Sequence, residues 1–535
     1  MCVVSPATLV PIDGGQPMQL SDTNFTQLDW VIVMIYLGSS ILIGIWANRF
    51  VGNLSDYLVA GRTLRIRLAL ATMTGTELGL VTVMYSSQQG FTQHFAALYM
   101  AVIEGVSLLI VGLTGIVVFK LRASMVLTIP EYYEQRYSSG VRVLGGVMMV
   151  LAGVLNMGLF LRAGSEFLTA ISGLEDALYL KWIMTALLCL VLFYTVLGGM
   201  VSVVITDLIQ FLVLGVGMLV VTLYVLSSIG MGGLLDFAAS AEAYVNPTRM
   251  TNPAVFEQAP AIGPLTILVQ SVVIFTAIML WPAGASRTLS VKSPETAQQL
   301  YLWSTVPFLA RRALPMFWGL GAYIYFFHGG GSALADPLRT AFQEGHYSTL
   351  AAMPLFLAKI IPTGLLGIVT AGMVAAFMST HDSYLLCWSG VVTQDVIAPL
   401  FGPLSQQRRI WITRIAILVI GVMLLIWGLW YELQGNLWDY MAITGTIYLA
   451  GVLPVVVAGL YWKPASTAGA YLALLGGVVG VLGLAEPVLW LQSNVAGWIE
   501  AGHMTLLAFA VSAAGMLIGS LLLPDPAGPP SANAT

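Results

Sequence analysis

The chain has 535 residues, 58% of them hydrophobic and only 9% charged, where soluble domains carry roughly 25% charged residues. Its 21 basic and 25 acidic side chains are too few to cover a soluble surface of this size, and a net charge of −4 without a basic arm excludes a nucleic-acid binder. Three cysteines exclude a disulfide scaffold and the apolar content excludes a disordered chain, which leaves an all-α polytopic membrane protein.

Residues 1–27 are polar, with no basic lead-in to an apolar core, and read as an extracellular segment and not as a cleaved signal. Thirteen stretches then approach the ~20 apolar residues that a span needs: 28–48, 66–88, 95–119, 142–171, 176–197, 201–229, 264–287, 311–328, 362–390, 409–431, 437–461, 466–490 and 503–523. The first span and its loop form a peripheral unit, 28–62. Five spans over 63–230 and five over 264–461 form two sets, joined by an extracellular loop at 231–263; the second set carries a further extracellular loop at 329–361. Two peripheral helices over 462–523 and a cytoplasmic tail, 524–535, complete the order. An odd number of spans per set inverts the second set relative to the first. Alternating the loops between two sides places sixteen Lys and Arg on one side, Arg287, Arg311 and Arg312 among them, and four on the other; Arg162 falls inside a span. Basic loops face the cytoplasm, so the N-terminus is expected outside and the C-terminus inside, in a plasma (inner) membrane.

Charged and hydroxyl-rich spans call for a function, because a charge in hydrocarbon costs several kcal/mol. The second span reads Ala71-Thr72-Met73-Thr74-Gly75-Thr76-Glu77-Leu78-Gly79, and the seventh reads Trp281-Pro282-Ala283-Gly284-Ala285-Ser286-Arg287. Each opens one five-span set. Paired interrupted helices at matching positions point to a transporter built as an inverted repeat, in which unwound backbone lines a polar cavity. The ninth span carries Ser379, Thr380 and Ser383 on one face with Ala376, and Asp382 at its edge. Such an oxygen-rich face with few fixed charges binds Na+ and also releases it. Asp207 in the sixth span is either a cation ligand or a helix-capping acid. Arg162 in the fourth either pairs with Glu166 one turn on or holds a substrate carboxylate. The five histidines lack metal-ligand spacing, no nucleophile–base pair appears, and no cofactor or protein-partner motif is evident. An enzyme is therefore not expected.

Six motifs in order resemble the sodium:solute symporter family: Asp56-Tyr57 with Gly61-Arg62, Thr128-Ile129-Pro130-Glu131-Tyr132, Tyr194-Thr195 to Asp207, Arg287-Thr288-Leu289 with Lys292-Ser293, Ala376 to Ser383, and Gly459 to Lys463. The resemblance implies a LeuT-like 5+5 inverted-repeat core and Na+-coupled import of a small organic solute by alternating access. It also implies a sodium site made by the carbonyls of Gly75, Leu78 and Ala376 and the hydroxyls of Ser379 and Thr380. A second cation site, found in some members, would use Asp207, Ser379, Asp382 and Ser383. The solute would lie among Thr76, Glu77, Asn156, Trp281, Thr444 and Tyr448, with Arg162 available to a carboxylate. An amino acid or carboxylate is expected as the solute. A sugar or polyol and a choline-like cation are the alternatives, and a sensor or channel is the alternative class.

Overall fold

The computed structural model describes residues 23–47, 60–174, 177–240, 263–328, 337–343, 347–402, 404–430 and 437–526. Most of the expected N-terminal segment, most of the loop at 231–263 and the tail beyond 526 lie outside the described residues. Among the described residues the regular structure is helical, apart from one isolated bridge between Leu64 and Val291.

In chain order the principal helices are α1 (Gln27–Ala47), α2 (Ile66–Glu77), α3 (Leu80–Gln93), α4 (Tyr99–Thr114), α5 (Ser139–Ser172), α6 (Ala177–Ala239), α7 (Pro264–Leu280), α8 (Pro282–Ser290), α9 (Pro294–Tyr323), α10 (Leu365–Val391), α11 (Gln406–Trp430), α12 (Leu437–Tyr461), α13 (Thr467–Gly477), α14 (Ala485–Asn494) and α15 (Ala501–Leu522). Every expected span meets one of these helices or a broken pair. Among the described residues, eight helical stretches are long and apolar enough to cross a bilayer unaided. The others are short, bent or interrupted by polar groups.

The breaks follow from local chemistry. Threonines and Gly75 weaken α2, which stops at Glu77. Leu78 leaves the helical region (φ −86°, ψ 61°), and Gly79 is extended before α3 begins. Trp281 is likewise extended (φ −65°, ψ 126°) between α7 and α8. The residue before a proline is pushed out of the helical basin, while Pro282 suits the first turn of a new helix. α6 holds two expected spans, which part at Gly199, where φ is +55°.

The helix expected at 311–328 begins far earlier, at Pro294. Ser293 caps it by accepting from the Thr296 amide at 3.2 Å. Arg311 and Arg312 therefore sit in the middle of a helix and not in a cytoplasmic loop. Arg287 is also buried. These three leave the loop tally, and the remaining basic residues still divide thirteen to four.

One apolar core joins the two sets. α9 packs along α3 and α4, and α10 packs along α6 and α1. The segment before α1, with the first turn of α1, clamps the start of α10. Asn24 Nδ2 donates to the carbonyls of Lys359 (2.8 Å) and Ile361 (3.0 Å), and Asp29 Oδ1 accepts from the amides of Gly364 (2.7 Å) and Gly367 (2.6 Å). Asp29 thus meets the orphan N–H groups of a helix start.

Candidate functional site

The break at Leu78–Gly79 lies against the hydroxyl face of α10. Ser379 Oγ donates to the Gly75 carbonyl at 2.9 Å and to the Ala376 carbonyl at 3.1 Å. Thr380 Oγ1 donates to the Thr76 carbonyl at 3.0 Å and to the Ala376 carbonyl at 3.1 Å. All five residues are buried. Two hydroxyls and three carbonyls thus converge as uncharged oxygens, the donor chemistry a small hard cation takes. The fit is close enough to exclude a side chain at position 79, because a Cβ built there would lie 2.2 Å from Thr380 Oγ1. Leu78 occupies the break itself, with its amide donating to the Thr74 carbonyl at 2.8 Å.

The second expected set is assembled differently. Asp207 is fully buried, and its Oδ2 accepts from Thr72 Oγ1 (2.5 Å), Thr76 Oγ1 (3.1 Å) and Arg287 Nη2 (3.3 Å). Asp382 turns to Tyr194, whose hydroxyl donates to it at 2.9 Å, and accepts from Ser383 Oγ at 3.1 Å. Ser379 belongs to the first set. His381 Nδ1 lies 2.8 Å from the Phe377 carbonyl of its own helix, so it forms no relay with Asp382.

Beside the first set lies a cavity of about 120 Å³, reached by α2, α3, α4, α5, α7, α8, α9, α10 and α12. Thr76, Glu77, Asn156 and Trp281 line it. Thr444 stands behind Asn156, accepting from its Nδ2 at 3.1 Å. Tyr448 is not a lining residue; its hydroxyl donates to the Leu280 carbonyl at 3.3 Å, where α7 breaks. Arg162 is also absent from the lining and pairs with Glu166 at 2.9 Å, both side chains partly exposed.

The cavity takes its positive charge from Arg311 and Arg312 instead. Arg311 pairs with Glu104 and donates to the Glu77 carbonyl, while its Nη1 lies 3.7 Å from Glu77 Oε2. Arg312 Nε donates to the other oxygen of Glu104 at 3.1 Å, and its guanidinium covers the rings of Tyr85 (4.8 Å) and Trp438 (4.4 Å). Tyr384, also missed, accepts from Trp281 Nε1 at 2.7 Å. The available signal for the arginine pair was the Ser293-Pro294 helix start, which moves both residues to mid-span.

Comparison with known proteins agrees with this architecture. The profile of the sodium:solute symporter family matches residues 57–479. A sodium/glucose cotransporter from Vibrio parahaemolyticus is 24% identical, covering 84% of this chain and 84% of its own. A sodium/proline symporter from Haemophilus influenzae is 26% identical, covering 92% of this chain and 94% of its own. Among solved structures, a substrate-bound outward-open Na+-coupled sialic acid symporter superposes with a TM-score of 0.75 at 16% identity, over 93% of this chain and 98% of that one.

Proposed function

The chain belongs to the sodium:solute symporter family, a polytopic transporter with a LeuT-like core that couples Na+ to a small organic solute, and from this premise we propose that its solute is a small zwitterionic amino acid. The observation that carries the proposal is the charge balance of the cavity. Glu77 and Glu104 set two carboxylates against the guanidiniums of Arg311 and Arg312. A balanced pair of signs favours a solute that carries both. Arg312 Nη1 is buried and has no partner among the described residues, and it is the donor suited to a carboxylate. Glu77 is the acceptor suited to an ammonium. Tyr85, Phe160, Trp281 and Trp438 offer apolar ring faces to the remainder. The volume, far below the ~300–1,000 Å³ of pockets for drug-sized ligands, favours a solute with few heavy atoms.

In this reading Na+ sits among the carbonyls of Gly75, Leu78 and Ala376 and the hydroxyls of Ser379 and Thr380. It joins the broken α2 to α10, and differential affinity for the joined state supplies coupling. The membrane potential adds about 2.3 kcal/mol per charge at 100 mV. The remaining basic residues favour an extracellular N-terminus and a cytoplasmic C-terminus in a plasma (inner) membrane, with lipid as the surrounding partner.

The test is uptake into proteoliposomes of a labelled panel of amino acids, carboxylates, sugars and choline, with and without a Na+ gradient. Gradient-driven uptake of an amino acid, lost in Ser379→Ala/Thr380→Ala, is the expected result. Accumulation of a sugar alone would overturn the solute assignment. Uptake indifferent to Na+ and to both substitutions would overturn the site.

A further inference from the structure

Two of the residues expected to hold a second cation, Asp207 and Ser383, already contact one. Arg287 enters from α8, and a single nitrogen of its guanidinium, Nη2, donates to Thr76 Oγ1 at 2.6 Å and Ser383 Oγ at 2.6 Å, and lies 3.3 Å from Asp207 Oδ2. Thr76 Oγ1 and Ser383 Oγ are themselves 3.1 Å apart. The nitrogen therefore occupies the focus of a hydroxyl–hydroxyl–carboxylate triangle drawn from α2, α6 and α10. Arg287, Asp207, Thr76 and Ser383 are all buried.

A second Na+ does not fit this donor set. Of the hydroxyls expected to ligate it, Ser383 Oγ already accepts from Arg287 and Ser379 Oγ is committed to the Gly75 and Ala376 carbonyls, while Asp382 is held by Tyr194 and Ser383. Asp207 Oδ1 is buried with no partner among the described residues, but a lone oxygen cannot replace the hydration shell of an ion. An added cation would also lie beside a buried guanidinium, where like charges repel with little screening.

We propose that Arg287 is a tethered cation that takes the place of a second Na+, so that one Na+ accompanies each solute. This rests on the Na+-coupled reading of the first site. It adds that the link between α8 and the α2–α6–α10 cluster is made by a side chain of the protein and does not depend on external Na+.

The experiment counts Na+ bound to the purified full-length protein in nanodiscs, using radioactive sodium alone as the probe. Wild type is expected to bind one equivalent with a Hill coefficient near one, and Ser379→Ala/Thr380→Ala is expected to abolish it. Arg287→Met is expected to gain a second equivalent. Since that variant leaves Asp207 uncompensated and can fail to fold, Arg287→Met/Asp207→Asn provides the neutral control, expected to bind one. Two equivalents in wild type would overturn the tethered cation and leave the first site standing. One equivalent lost in Asp207→Asn but kept in Ser379→Ala/Thr380→Ala would also overturn it, by placing the ion beside Arg287. A folded Arg287→Met that still binds only one equivalent would do the same. No binding in wild type would overturn the Na+ reading itself, which separates the two failures.

Discussion

Gly79→Ala offers a sharp probe of the oxygen set, because the perturbation falls on one atom. The new Cβ would meet Thr380 Oγ1 at 2.2 Å, with Thr380 Cβ at 3.1 Å and Cγ2 at 3.3 Å. Rotation about χ1 cannot relieve this cleanly, since Thr380 Cβ stays 3.1 Å from the new atom in every rotamer. The hydroxyl must leave its place and give up its bonds to the Thr76 and Ala376 carbonyls, at 3.0 and 3.1 Å. At about 1 kcal/mol per bond the loss is about 2 kcal/mol, or roughly a thirtyfold rise in the half-saturating Na+ concentration. Thr380→Ala removes the same hydroxyl and relieves the clash, so the double variant should resemble Thr380→Ala alone. Such non-additivity is the mark of residues acting through one contact. The assay is Na+-dependent uptake in proteoliposomes for both single variants and the double. Additive losses, or an unaltered Na+ dependence in Gly79→Ala, would show that position 79 does not act through Thr380.

Arg312→Met should raise the KM for a carboxylate-bearing solute by about 10- to 150-fold, the loss of one hydrogen bond to a charged group, with kcat changed far less; equal uptake kinetics would remove Arg312 from the solute site. Arg162→Gln should leave uptake within about twofold of wild type, because a partly exposed i, i+4 pair contributes only ~0.3–0.5 kcal/mol, and a tenfold loss would return Arg162 to the transport path. Asp29→Ala should lower thermal stability in a fluorescence melt, since it strips the start of α10 of two short amide contacts worth about 2 kcal/mol or more together; an unchanged melting temperature would mean that water replaces the carboxylate without loss.

The broken helices were legible because their cause is local. Pro282 after Trp281, and the run of threonines around Gly75, disfavour a continuous helix whatever surrounds them. The hydroxyls of Ser379 and Thr380 were legible for the same reason, since helical spacing alone puts them on one face. The arginines were not. Hydropathy charges each basic residue a full penalty and so pushes it into a loop, yet each of these is neutralised by a carboxylate distant in sequence. Glu104 lies 207 positions from Arg311, and Asp207 lies 80 from Arg287. No window of a single sequence contains both members of such a pair. The same blindness made Arg162 attractive, because it was the only arginine visible inside a span while the true lining arginines were assigned to the cytoplasm.

The proposed ion and solute sites share Thr380, and Thr76 touches both, which makes a long pathway between them unnecessary. Thr76 and Thr380 both line the solute cavity. The Thr76 carbonyl accepts from Thr380, and its hydroxyl donates to Asp207 and accepts from Arg287. One residue at the end of a broken helix therefore faces the solute, the sodium oxygens and the buried guanidinium together. Linkage requires that Na+ favour solute binding by the same factor by which solute favours Na+. A shared residue meets that requirement through direct contact, because ordering Thr76 for one ligand leaves less to order for the other. Coupling is then a property of where α2 stops. A helix continuing through Leu78 would bond the Gly75 and Thr76 carbonyls to its own next turn, and neither the ion nor Thr380 would find them free.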